Sequence, residues 1–519
     1  MQRDAAMRHN DSLPVARLPP EILAEIFTLL SSIDKAASWR EKDKIKTYLG
    51  WLSVTHVCQI WRDVALLKPA LWASNITVPY ALGERWANTF LTRSKTALLT
   101  IMPPPHSDPL RVFPLYFTEI DVLRNNLART CSLRISTSAF VPALYGPAPS
   151  MEAFVFDPVD SAKTSLLDDL FDRGTGAPVL RHLCVRKRAL SWTSPLLTRL
   201  VSLEMTTGHD MSFPLNASTF HEVLDALERM RLLERIHLDV PLRVAESRAL
   251  DAAVVTGATP PRVVAVANTL RTFIYEGLIV NARILLAHIT LPPYASLQFE
   301  FIQFRHSGRT SDVAGILAAA FAHAASAPKT IFALTIVENF KDDGGVWVGA
   351  ESREDVPGQP AIGMKFAYGG DIERDPWIGW GILPSALKAC PLEHLEVLHV
   401  AAESEPAWRD SLGHAPALQV VVVKGTPAAT TLCAALYPDD AANSSSNTLC
   451  FMPALAELCI SDVDFTVDDG ALADELALCL AVRGRAGHAL RVLAVEKCIV
   501  SEAVARRLKN AVPGVVVVH

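Results

Sequence analysis

The feature that most constrains this chain is an apolar triplet, spaced i, i+3, i+5, that recurs from residue 151 to residue 495. It reads Met151-x-x-Phe154-x-Phe156, Leu180-x-x-Leu183-x-Val185, Leu200-x-x-Leu203-x-Met205, Leu233-x-x-Ile236-x-Leu238 and Leu270-x-x-Phe273-x-Tyr275. It continues as Ile331-x-x-Leu334-x-Ile336, Leu395-x-x-Leu398-x-Val400, Leu418-x-x-Val421-x-Val423, Leu455-x-x-Leu458-x-Ile460 and Leu490-x-x-Leu493-x-Val495. The last two members of each triplet are two residues apart, so they share one side of a short strand. The first member can pack at the turn leading in. Helical apolar spacing falls between many triplets, at 220–231, 280–289, 313–325, 468–482 and 501–510, and a Val515-Val516-Val517-Val518 strand closes the chain. Strand, turn and helix therefore alternate, and each unit buries its apolar faces only against its neighbours.

This alternation resembles the leucine-rich repeat, which implies a curved parallel sheet with helices outside it. The Asn or Cys that usually follows the triplet is mostly missing and the spacing is irregular, so the resemblance is degenerate. A conventional α/β domain with several parallel strands is the alternative, although no glycine-rich strand-to-helix turn appears. One interval, 341–383, is too long for a repeat. It carries nine glycines, a formal charge of −4 and three tryptophans, Trp347, Trp377 and Trp380. Val346-Trp347-Val348 and Met364-x-Phe366-x-Tyr368 are spaced to pair as a hairpin. The interval reads as an insert, either a recognition element whose tryptophans bind a target or a loop whose aromatics fold back on the array. As an insert, it is expected to be removable without cost to folding. The tract 439–447 reads as a surface loop.

The first seventy or so residues have a different grammar. Leu18-Pro19-Pro20-Glu21-Ile22-Leu23 opens a helix: proline suits the first helical position, and Glu21 and Glu25 suit its positive end. Ile22, Leu23, Ile26, Phe27 and Leu30 are expected on one face. A polar stretch follows from Ser31. A second helical stripe is expected from Val54 through Val57, Cys58 and Trp61 to Ala65, stopped by Pro69 before Leu71-Trp72. The order Leu-Pro-Pro-Glu-Ile-Leu, Val-Cys-x-x-Trp-Arg, Pro-x-Leu-Trp resembles the F-box, the helical module that docks substrate receptors onto the Skp-type adaptor of SCF ubiquitin ligases. The resemblance covers about 13–77, with a long insert at 31–50 where a compact F-box has a short turn. It implies adaptor contact or module core for Leu18, Pro19, Pro20, Ile22, Leu23, Ile26, Val54, Val57, Cys58, Trp61, Leu71 and Trp72, and the sequence does not separate the two sets. The mode is an apolar ridge buried against a partner. Residues 78–110 read as a transition into the array.

Composition excludes several classes. Half the 519 residues are apolar and the net charge is −6, so the chain is not mainly disordered and has no basic excess for nucleic acid. No cofactor, nucleic-acid or membrane site is expected. No Gly-Lys pair, Gly-x-Ser-x-Gly elbow, His-Glu-x-x-His or Gly-x-Gly-x-x-Gly occurs. Asp168-Asp169, His394 and His399 read as solvated or satisfied rather than catalytic. None of the nine cysteines forms a Cys-x-x-Cys pair, and they read as buried thiols of a reducing compartment. No apolar signal segment opens the chain. The expectation is an intracellular protein, cytoplasmic and/or nuclear. It is α+β overall: disordered at 1–12, an all-α F-box, then an irregular α/β leucine-rich-repeat solenoid over 111–519. Its implied role is non-catalytic, as the substrate receptor that links a cullin-RING ligase, through the adaptor, to an unknown target protein. The alternatives are an interaction scaffold outside any ligase and an α/β enzyme with an unfamiliar site.

Overall fold

A computed structural model describes residues 14–34, 37–41, 44–74, 84–101, 117–158, 167–187, 190–206, 220–239, 262–301, 310–325, 330–339, 345–352, 361–367, 382–402, 405–412, 415–437, 451–512 and 515–518. The chain divides into two compact units, Met1–Ser218 and Thr219–His519.

The first unit opens with helix α1 (Pro20–Ile33), a hairpin of β1 (Ala37–Glu41) and β2 (Lys44–Tyr48), and a 3-10 turn, Gly50–His56. Helices α2 (Gln59–Leu67), α3 (Pro69–Ala73) and α4 (Glu84–Ser94) follow. One core joins them: Leu23 and Phe27 of α1, Trp51 and Leu52 of the turn, Val64 of α2, Trp72 of α3 and Phe90 of α4. Trp72 sits at its centre, edge-on to Trp51 (5.3 Å) and Phe90 (4.9 Å), and its indole N–H donates to the Ala65 carbonyl at 2.7 Å. The module's packing thus extends past residue 77 to α4, and it is not all-α, because the expected insert folds as the β1–β2 hairpin. Beyond it, β3 (Leu99–Ile101), β4 (Thr130–Ile135), β5 (Ala153–Phe156), β6 (His182–Arg186) and β7 (Ser202–Thr206) form a parallel sheet in chain order, with α5 (Phe117–Asn126) between β3 and β4 in the chain.

In the second unit α6 (Phe220–Arg229), β8 (Arg235–Leu238), β9 (Val264–Ala265), β10 (Thr272–Gly277), α7 (Ile279–His288), β11 (Ile289–Thr290), β12 (Ser296–Phe301), α8 (Thr310–Ala325) and β13 (Ile331–Asn339) come first. Then come β14 (Gly345–Ser352), β15 (Ile362–Ala367), α9 (Ile382–Ala389), β16 (Val397–Ala401), α10 (Trp408–Leu412), β17 (Val420–Lys424) and α11 (Thr426–Leu436). The unit ends with β18 (Glu457–Ser461), α12 (Ala471–Arg485), β19 (Val492–Glu496), α13 (Glu502–Ala511) and β20 (Val515–Val518). The strands run in the order β8-β10-β12-β15-β14-β13-β16-β17-β18-β19-β20, with β9 and β11 paired apart. From α7 to α13 each helix packs on the next.

The last two members of every triplet lie on one of these strands, and all three members are buried. Register explains why. Leu398 pairs with Val421, Val421 with Leu458, Leu458 with Leu493 and Leu493 with Val516, so equivalent triplet positions stack into an apolar ladder. The alternate positions, such as Val420, Val422 and Cys459, are half-buried on the other face.

Three expectations are corrected. The described parts of segment 341–383 do not lie outside the array, since β14 and β15 sit inside the sheet between β12 and β13. The expected hairpin is present, with Val346 opposite Phe366 and Val348 opposite Met364. Val346, Val348, Ala350, Ile362, Met364 and Phe366 are all fully buried, so this pair completes the core layer. Ile382 and Leu383 already belong to α9. The sheet is mixed, because β14 runs antiparallel to both neighbours. Strand β12, with Leu297, Phe299 and Phe301 buried, escaped the triplet pattern because the position before it holds the half-exposed Tyr294.

Candidate partner-docking surface

Helix α1 carries two apolar stripes. Pro19 caps it, Pro20 stands at its first position, and the Asp34 N–H closes it on the Leu30 carbonyl at 2.8 Å. Leu23, Ala24, Phe27 and Ser31 face the module core. Ile22, Ile26, Leu29 and Ile33, spaced 4, 3 and 4 residues apart, form a second stripe within an arc of about 60° at 100° per residue. These four are 49, 42, 68 and 83 % exposed. Glu21, Glu25, Thr28 and Ser32 make the polar face, and Glu25 pairs with Lys68 at 3.1 Å. The single face expected for Ile22, Leu23, Ile26, Phe27 and Leu30 is therefore split. Leu29 and Ile33 were missed, although their i+7 and i+11 spacing from Ile22 is legible in the sequence.

The second expected stripe is broken as well. Val54 is buried in the 3-10 turn, and α2 starts only at Gln59 with Cys58 as an extended N-cap. The chain turns here because Gly50 takes φ +53° and the Arg62 Nε donates to the Thr55 carbonyl at 2.7 Å, occupying an acceptor that a continuous helix would use. Val57 (56 %) and Ile60 (41 %) are left exposed. Trp61 is half-buried, its ring 5.2 Å from Phe27.

The resemblance-derived residues therefore separate. Leu23, Val54, Leu71 and Trp72 are buried in the core, and Leu18 and Trp61 pack against it. Pro19, Pro20, Ile22, Ile26 and Val57 are exposed, and Cys58 is intermediate. Beside the core lies an open cleft of ≈ 470 Å³ with Thr55, His56, Arg62, Trp86 and Arg93 on its walls. The Arg93 guanidinium stacks 4.3 Å from the Trp72 ring centre.

In the second unit Trp347 stands on β14, opposite Val337 of β13 and Lys365 of β15. It is the most exposed tryptophan whose side chain is described, at 36 %. Its ring lies across Gly349, where a Cβ would fall inside the ring's van der Waals envelope, and Gly349 faces Gly363 on β15. Gly349 thus forms the floor for one aromatic ring, and Lys365, opposite Trp347, pairs with Glu300 at 2.7 Å. Trp377 and Trp380 lie outside the described residues.

Among the described residues no helix is long and apolar enough to cross a membrane, and no group of three His, Cys, Asp or Glu is arranged to hold a metal. An exposed apolar ridge on a helix is the kind of surface that a partner's groove can cover. Residues 15–75 match the F-box-like family, so this chain carries an F-box-like domain. No curated protein matches the chain.

Proposed function

We propose that this chain is the substrate-recognition subunit of an SCF-type ubiquitin ligase. In this reading the F-box-like module docks the Skp-type adaptor and, through it, a cullin-RING ligase, while the strand–helix succession holds a target protein. The observation that carries the reading is the exposed Ile22, Ile26, Leu29 and Ile33 ridge on a helix whose other apolar stripe already fills the core. A monomer gains nothing from leaving such a ridge in water, and a partner groove gives it a role. The adaptor contacts are then Ile22, Ile26, Leu29, Ile33, Val57 and Ile60, and Leu23, Val54, Trp61, Leu71 and Trp72 hold them in place.

The in-register ladder of parallel strands, with each helix against the next, supports a degenerate leucine-rich-repeat reading of the remainder. Trp347 on the open sheet face is the proposed target anchor. The chain itself performs no chemistry; it raises the effective concentration of a target lysine at the ligase.

Co-expression with a Skp-type adaptor and size-exclusion chromatography test this. A stoichiometric complex is expected, and it should be lost in an Ile22→Asp, Ile26→Asp chain that melts like the parent. A folded parent chain that forms no complex would overturn the ligase reading in favour of a scaffold outside any ligase.

A further inference from the structure

The cleft beside the module core has a volume of ≈ 470 Å³. That lies within the range of small-ligand sites, about 300–1,000 Å³. The 3-10 turn and helices α2, α3 and α4 all contribute to its lining. Packing of Trp72 against Trp51 and Phe90 fixes α4 beside the turn. This brings Trp86 and Arg93 of α4 to the same cleft as His56 of the turn and Arg62 of α2.

The walls are apolar and cationic. Leu66, Trp72 and Trp86 supply apolar surface, and His56, Arg62 and Arg93 supply N–H donors. None of the described residues that line the cleft is acidic, although the chain carries a net charge of −6. Both guanidinium groups are held in place with donors to spare. Arg62 is anchored through Nε on the Thr55 carbonyl at 2.7 Å, and its terminal nitrogens donate to no described residue. Arg93 is half-buried over the Trp72 ring, 4.3 Å from its centre, and forms no hydrogen bond or ion pair among the described residues. A guanidinium over an aromatic face keeps its in-plane N–H donors for another partner. Burial pushes the Arg93 pKa down from its ordinary value, and no described carboxylate opposes the shift.

We infer that this cleft binds a small organic anion, whose carboxylate or phosphate group is taken by Arg62 and Arg93 and whose apolar body lies against Trp86 and Leu66. Guanidinium forks match the paired oxygens of such groups. A partly desolvated site strengthens the attraction relative to open water. A neutral ligand would leave two cations uncompensated at one cleft, and a bare anion would leave the aromatic wall in water. The inference goes beyond the adaptor reading, since none of these donors belongs to the Ile22, Ile26, Leu29 and Ile33 ridge.

The test is calorimetric titration of phenyl phosphate, benzoate and uncharged benzyl alcohol into the full chain, with thermal melting in parallel. Both anions should bind saturably at one site, about tenfold or more tighter than benzyl alcohol, and raise the melting midpoint. An Arg62→Gln, Arg93→Gln chain should bind both anions about tenfold or more weakly. That chain also loses the ring stack and the Thr55 contact, so Thr89→Glu is the second variant. It keeps both arginines and places a tethered carboxylate in the cleft, and it should abolish anion binding while melting like the parent. Absence of saturable anion binding by the parent would overturn the inference, as would parent-like anion binding by either variant. A parent that binds neither anion, with adaptor binding lost in Thr89→Glu, would reassign the cleft to the adaptor.

Discussion

Replacing Ile22 and Ile26 together by alanine separates the ridge from the core quantitatively. The two side chains keep 49 and 42 % of their surface in water. Fully burying an isoleucine gains about 1.5–3 kcal/mol, so covering the exposed half gains about 1 kcal/mol at each position. The double variant should lose about 2 kcal/mol of adaptor affinity, roughly 30-fold in Kd. Its thermal midpoint should hold, because neither side chain belongs to the module core and alanine favours the helix. Leu23, one residue from Ile22 and 1 % exposed, is the internal control. Leu23→Ala leaves a cavity beside Phe27 and should cost about 2–5 kcal/mol of stability. Calorimetric titration of adaptor into each chain, with melting followed by circular dichroism, reads both quantities. The reasoning is refuted if Ile22→Ala, Ile26→Ala binds within about threefold of the parent, or if it destabilises the module as much as Leu23→Ala.

Other outcomes follow from the second unit. Deleting 341–383 should abolish soluble folding, since β14 and β15 are interior strands; a soluble, cooperatively melting product would refute their placement. Gly349→Ala should displace the Trp347 ring and change the near-ultraviolet dichroism and tryptophan fluorescence, with about 1–3 kcal/mol of destabilisation. Arg483 is 1 % exposed and donates to the Phe451 and Met452 carbonyls at 2.6 and 2.9 Å. Arg483→Met should therefore cost about 3 kcal/mol in chemical denaturation by stranding two buried acceptors. Burial pushes the Cys390 and Cys479 thiols up from 9.0 to about 12. Both should resist a thiol reagent at pH 8 until the chain is unfolded. Because the folded values are raised, this contribution to stability is intact below about pH 9. It falls by about 1.4 kcal/mol per pH unit per thiol as pH climbs toward 12, which denaturant midpoints against pH will show.

The fold was legible wherever one strand carries its own signal. The triplets marked their strands because burial on one face demands apolar side chains two residues apart, whatever the neighbouring strand. The hairpin 346–348/364–366 was legible for the same reason. That it enters the middle of the sheet was not, because partner choice depends on which edges the rest of the chain leaves open. The docking module shows the same division. The sequence alone determined that α1 is apolar over an arc of about 160° at 100° per residue, by the identities of Ile22, Leu23, Ile26, Phe27, Leu29 and Ile33. Only the tertiary structure decided which of these are core and which are ridge. Both stripes are equally apolar as sequence, and the difference arises from where Trp51, Trp61 and Trp72 pack: the stripe that meets them is buried, and the other is left in water for a partner to cover.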